Sequence, residues 1–176
     1  VQVKSAGTVR LNNLKSVSNR EGKLVAVSRS GEVGVVDDYG RERERYKIPY
    51  GAVLSVQEGS KINAGDIIVT WDPFTHPVIT EVDGIVELKD FIDGVTVQKQ
   101  SDEVTGLSSL VVTDPKQRGS AGKELRPMVK LLDEQGNTIY LPGTEIPAQY
   151  FLPAPAIAGI KDGGEVRVGD VLARIP

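Results

Sequence analysis

Short apolar runs rich in Val, Ile and Leu recur along the whole chain, each closed off by Gly, Asp, Asn or Pro. VQVK, TVRL, LVAV, VGVV, VLSV, IIVTW, IVEL, LVV, VKLL and VLARI are too short for helices. Their β-branched side chains suit a pleated, half-buried surface, so they predict strands. The joining segments agree: DDYG and DEQG each link two such runs, and NREG lies between LKSV and LVAV, all with residues that favour turns. One stretch has helical spacing, with Leu11, Leu14 and Val17 at i, i+3 and i+6, and it stops at NREG. The pattern predicts an all-β protein.

The same pattern is written twice. SVQEGSKINAGDIIVTWD, starting at Ser55, and GIKDGGEVRVGDVLARIP, starting at Gly159, share an acid-Gly pair and a Gly-Asp pair at matching positions. Tyr46, Pro49, Ala52, Gly59, Gly65 and Asp66 recur without a gap as Tyr150, Pro153, Ala156, Gly163, Gly169 and Asp170. Upstream, VVDDYG pairs with LLDEQG, LVAVS with LVVTD and AGTVRL with DGIVEL, with shifts that imply loop insertions. Two copies at so long a spacing indicate a tandem domain duplication, not a stacked repeat array. The expected boundaries are residues 1–73 for the first copy, 74–76 for a Pro-bounded joint and 77–176 for the second copy. Within the motif, Gly with φ > 0 would reverse the chain between strands, and the Asp after it would hydrogen-bond the turn backbone. Ile62, Ile67, Ile68, Val166, Val171 and Leu172 are then expected in the cores.

Composition narrows the chemistry. A net charge of -3 and a pI near 5.3 supply no overall attraction to nucleic acid, so any such contact needs a local patch. With no Cys, disulfides, thiolate nucleophiles and Cys-ligated zinc are excluded. No apolar run reaches the length of a membrane span, and no basic-then-apolar leader opens the chain; a cytoplasmic protein is expected. The start at Val1 and strand-like sequence at both ends suggest a segment of a longer polypeptide.

Few residues carry candidate chemistry. His76 is the sole His, so no His cluster or triad can form within the chain, and an exposed loop position is expected for it. GSAGKELRP has the look of a phosphate loop, but Gln117 stands where the first Gly belongs and Glu124 where Ser or Thr belongs. Residues 113–127 therefore read as a mobile surface loop. In RERER, strand alternation would put Arg41, Arg43 and Arg45 on one face and Glu42 and Glu44 on the other. That arrangement suits a solvated edge strand and also offers arginines to a partner or to DNA phosphates. Trp71, Phe74 and Tyr50 are expected to pack near the joint. No catalytic, cofactor-binding or metal-binding residue is indicated.

The pattern VxEGxxIxxGDII followed by PVITEVDGIVEL resembles biotinyl/lipoyl-type β-barrels. In carriers the intervening turn holds a Lys that receives the cofactor, whereas here it reads WDPFTHP; efflux adaptors carry such barrels too, but with a long heptad hairpin absent here. A carrier or adaptor barrel is the alternative reading. RLNNLKSVSNREGKLVAVSRSGEV, DDYGRERERYKIPYGA, QEGSKINAGDIIVTWDPFTHPVITEVDG and IPAQYFLPAPAIAGIKDGGEVRVGDVLARIP resemble, across essentially the whole chain, the trigger-loop insertion of the bacterial RNA polymerase β′ subunit. The resemblance implies two sandwich-barrel hybrid modules and a non-catalytic part of a nucleotidyltransferase that modulates trigger-loop folding, nucleotide addition, pausing and transcript cleavage. It also implies partners in the polymerase core (beta, beta-prime, alpha and omega), with transcription factors and downstream DNA as further contacts, and no membrane. Magnesium and zinc would be bound elsewhere in the parent enzyme, with no cofactor in this segment, and the location would be cytoplasmic, at the nucleoid through the polymerase.

Overall fold

The computed structural model describes residues 1–101, 108–120 and 122–176. The fold is all-β, with one 3₁₀ turn at Pro115–Gln117 and no α-helix among the described residues. The chain divides into two compact units, Val1–Pro73 and Phe74–Pro176.

The first unit contains β1 (Gly7–Asn12), β2 (Ser16–Ser18), β3 (Leu24–Ala26), β4 (Glu32–Val36), β5 (Glu42–Lys47), β6 (Val53–Leu54), β7 (Lys61–Ile62) and β8 (Val69–Thr70). They form two antiparallel sheets, ordered β5-β4-β1-β7 and β2-β3-β6-β8. Val3, Val9, Val33, Val35, Ile48, Leu54, Ile68 and Val69 are buried between them at 1% exposure or less.

The second unit contains β9 (His76–Ile79), β10 (Gly84–Lys89), β11 (Val97–Ser101), β12 (Ser108–Val112), β13 (Met128–Leu132), β14 (Gln149–Phe151), β15 (Ile157–Ala158), β16 (Glu165–Val166) and β17 (Val171–Ile175). Its sheets are ordered β14-β13-β10-β16 and β11-β12-β15-β17-β9. The first order repeats β5-β4-β1-β7 strand for strand. The second repeats β2-β3-β6-β8 and adds β9, whose counterpart in the first unit is the extended segment Val1–Val3: Val3 and Asp66 bond as Thr80 and Asp170 do, at 3.0 and 3.1 Å. Val86, Val97, Val129, Leu131 and Leu172 anchor the second core.

One expectation changes, and it concerns the cores. The segment from Leu11 to Val17, despite its helical spacing, is strand and corner as the all-β reading has it, with Asn13 at φ 52 breaking the backbone between β1 and β2. Leu11 and Leu14 instead reach the first core from either side of that corner. Ile67 is 60% exposed and Val171 only half-buried, although Ile62, Ile68, Val166 and Leu172 are buried as expected. In extended backbone neighbouring side chains point to opposite faces, so only one of each adjacent pair can enter the core.

Candidate functional site

The duplicated motif is a structural clasp. Gly59 and Gly163 have φ 83 and 81, and Gly65 and Gly169 have φ 93 and 88, a backbone region that disfavours any residue with a Cβ. Asp66 and Asp170 each accept the amide three residues upstream, from Asn63 and Arg167, at 2.9 Å. The acid before the first Gly has a separate role: Glu58 accepts the Leu11 amide at 2.6 Å and Asp162 accepts the Leu88 amide at 2.9 Å. Each carboxylate thus ties its turn to the first long strand of its own copy. These residues recur because both copies close the same barrel-like fold.

The RERER strand departs from simple alternation. β5 is the edge of its sheet, and its register with β4 slips so that Val35 faces Glu44 while Val36 faces Glu42, leaving Arg43 as the extra residue of a bulge. The expected all-arginine face is therefore split. Arg41 and Arg43 both approach Asp37 Oδ2, at 3.4 and 3.3 Å. Arg45, brought by the bulge onto the Glu42 face, pairs with Glu42 at 2.7 Å and Glu32 at 3.4 Å. All three arginine side chains stay more than half exposed, so these pairs contribute little stability each. They do offset the positive charge that a phosphate contact would use.

Glu44 lies on the opposite face. Its carboxylate accepts the Lys4 and Ser5 amides at 2.9 and 3.0 Å and the Tyr46 hydroxyl at 2.6 Å, which fastens the start of the first unit to β5. Burial by itself would raise the Glu44 pKa, but these hydrogen bonds outweigh it and hold the group below its ordinary value of 4.5. Asp37 is likewise held below 3.8, chiefly by the Arg41 amide, against burial, with help from the Tyr39 amide and the charges of Arg41 and Arg43. Glu58 is lowered by the Leu11 amide first, against burial, and then by Arg10.

Each of these carboxyls therefore ionises at lower pH in the folded unit than in the unfolded chain. Their contribution is complete above the ordinary carboxylate range and is lost as pH falls through the depressed folded values. Thermal melts of the chain between pH 7 and pH 3 are expected to show the first unit losing stability below about pH 4. Glu44→Gln should flatten that slope; an unchanged pH dependence in Glu44→Gln would contradict the role given to it.

The remaining candidates are placed as follows. His76 begins β9, where it pairs with Ile175, and is exposed; it lies in a strand and not in a loop, because the segment after Pro73 is drawn at once into the edge of the second sheet. Tyr50 is half-buried, while Trp71 and Phe74 are 44% and 84% exposed. The described part of residues 113–127 is mostly at the surface and is braced by Arg118. Its Nε donates to the Thr113 carbonyl at 2.9 Å and an Nη to the Leu125 carbonyl at 2.7 Å, while Asp114 caps the 3₁₀ turn. The sequence reading did not single out Arg118, Arg126 or Phe151, yet the Arg126 guanidinium stands 4.2 Å over the Phe151 ring. The signal available was the length of this connection, residues 113–127 against 27–31 in the first copy. Among the described residues no group of three or more His, Asp or Glu could hold a metal ion, and no helix is long and apolar enough to cross a membrane.

No protein-family model matches the chain. All 176 residues align, at 70% identity, with the DNA-directed RNA polymerase subunit beta' of Methylococcus capsulatus. The chain matches a segment of the bacterial RNA polymerase β′ subunit from end to end. The β′ subunits of Pseudomonas paraeruginosa and Shewanella amazonensis are each 59% identical over the same 176 residues. The chain spans 13%, 13% and 12% of the lengths of these three β′ relatives.

Proposed function

We propose that this chain is a non-catalytic insertion in the trigger loop of the RNA polymerase β′ subunit, and that it biases the folding of that loop during nucleotide addition, pausing and transcript cleavage. The observation that carries the reading is the whole-chain match to only about an eighth of the β′ relatives, by a segment made of two units with separate cores. The sequence resemblance to the trigger-loop insertion supplies the place within β′. Such a segment lives in the cytoplasm with the polymerase core, and its surfaces meet that core, transcription factors or downstream DNA.

The mechanism is a population shift. A trigger loop that alternates between an open form and a folded hairpin must carry the inserted mass with it. Contacts that differ between the two positions change the loop equilibrium about tenfold for every ~1.4 kcal/mol of difference. The residues of the insertion need make or break no bond for this to alter rate.

The test replaces residues 1–176 by a short flexible linker in the polymerase. The altered enzyme is expected to extend RNA still, with changed pause dwell times and changed transcript cleavage. Unchanged behaviour at every pause and in cleavage would overturn the reading, as would complete loss of polymerisation.

A further inference from the structure

The second unit carries a feature for which the duplicated fold has no need. The connection between β12 and β13 is much longer than its counterpart between β3 and β4, and with the edge strand β14 it encloses a groove of about 400 Å³. Pro115, Leu125, Pro127, Leu152 and Pro153 line it, together with Arg118, Lys123, Arg126 and Phe151. In the first unit the position of Phe151 is occupied by Lys47, which faces Glu32 across the sheet; no matching groove-forming loop exists there.

The groove gathers three cationic side chains. Arg118 donates to the main-chain carbonyls of Thr113, Gly122 and Leu125. Lys123 is exposed, and Arg126 is exposed and lies over Phe151. Among the described residues none of the three makes an ion pair, in contrast to Arg41, Arg43 and Arg45. Two nearby carboxylates are engaged with main-chain amides, Asp90 accepting the Arg126 amide at 3.1 Å and Asp114 the Lys116 amide at 2.9 Å, while the exposed Glu124 forms no ion pair with Arg118, Lys123 or Arg126 among the described residues. The contact with the Phe151 ring restrains the Arg126 side chain, which limits the entropy lost when its guanidinium binds a carboxylate.

We propose that this groove is a docking site for an acidic protein segment, with carboxylates held by Arg126 and Lys123 over the positive field of Arg118 and an apolar side chain seated on the Pro and Leu floor. Charge complementarity and that floor select the occupant. A nucleic-acid strand would need a longer basic track and a free ring face for a base. Here the cations are gathered in one groove of an acidic chain, and the Phe151 face is already covered by Arg126. The proposal goes beyond the trigger-loop reading and does not depend on it.

The test is fluorescence polarisation on the 176-residue chain with three labelled probes: a twelve-residue peptide of alternating Glu and Leu, the same peptide with Gln for Glu, and a single-stranded DNA 12-mer. The Glu peptide is expected to bind at least tenfold more tightly than either other probe and to weaken as salt rises. The double variant Lys123→Glu, Arg126→Glu should lose at least tenfold in affinity at an unchanged melting temperature. If that variant melts early, Lys123→Gln is decisive, since Lys123 is exposed and makes no ion pair among the described residues: several-fold weakening supports the site and unchanged binding overturns it. Equal or tighter binding of the DNA, absence of peptide binding, or binding indifferent to charge reversal in a folded variant would each overturn the proposal.

Discussion

Leu172→Ala is expected to cost the second unit about 2–5 kcal/mol, the range for emptying a buried Leu site that its surroundings refill only in part. Leu172 has no exposed surface and packs in the cluster formed by Val86, Val97, Val112, Val129, Leu131 and Leu152. It sits in β17, which is hydrogen-bonded to both β15 and β9, so the cavity opens beneath a strand paired on both sides. A domain of this size typically has ~5–15 kcal/mol in total, so the loss is a large fraction of its stability. Native-state hydrogen exchange reads the result residue by residue: amides of β10, β13 and β17 should lose protection by the amount of the cavity cost. The first core is built from other residues, Val3 to Val69, and its amides should keep their protection. Equal loss in both units would show that the chain unfolds as one cooperative body.

Gly7→Ala is expected to be nearly as damaging although it adds one carbon. Gly7 pairs with Ile62 while β1 runs along β4 on its other side. A Cβ at this position would lie 2.4 Å from the Val36 carbonyl oxygen and 2.8 Å from Val35 Cγ1. The first contact is with main chain in the sheet, which cannot rotate away, so relief requires β1 and β4 to separate. Overpacking of this kind costs about 1–3 kcal/mol. Gly84 is the equivalent residue in the second copy, where the nearest atoms are Ile139 Cδ1 at 3.0 Å and Leu131 Cβ at 3.1 Å. The end of the Ile139 side chain can give way, so Gly84→Ala should cost less. Urea melts of the two single variants test the order; a larger loss for Gly84→Ala would refute the argument.

Much of the site chemistry was legible because it is local. A Gly-Asp turn acts within a few residues of itself, and Asp66 and Asp170 bond where their sequence neighbourhood places them. The charge at RERER was equally visible, but its pairing was not. The bulge at Arg43 arises from the register between β5 and β4, and that register puts Glu42 and Arg45 on one face.

The sequence by itself determined that the protein is all-β, that one unit is written twice, and where the turns fall. Strand alternation, β-branched runs and positive-φ glycines are properties of short stretches, and a duplication is visible without any coordinate. Only the tertiary structure decided the rest: which of Ile67 and Ile68 enters the core, why a side chain at Gly7 is costly, what Glu58 and Asp162 hold, and how Arg118, Lys123, Arg126 and Phe151 come to share a groove. Each depends on atoms far apart in the chain, and which of them meet is settled by the sheet register and the packing of two faces, which no local pattern encodes.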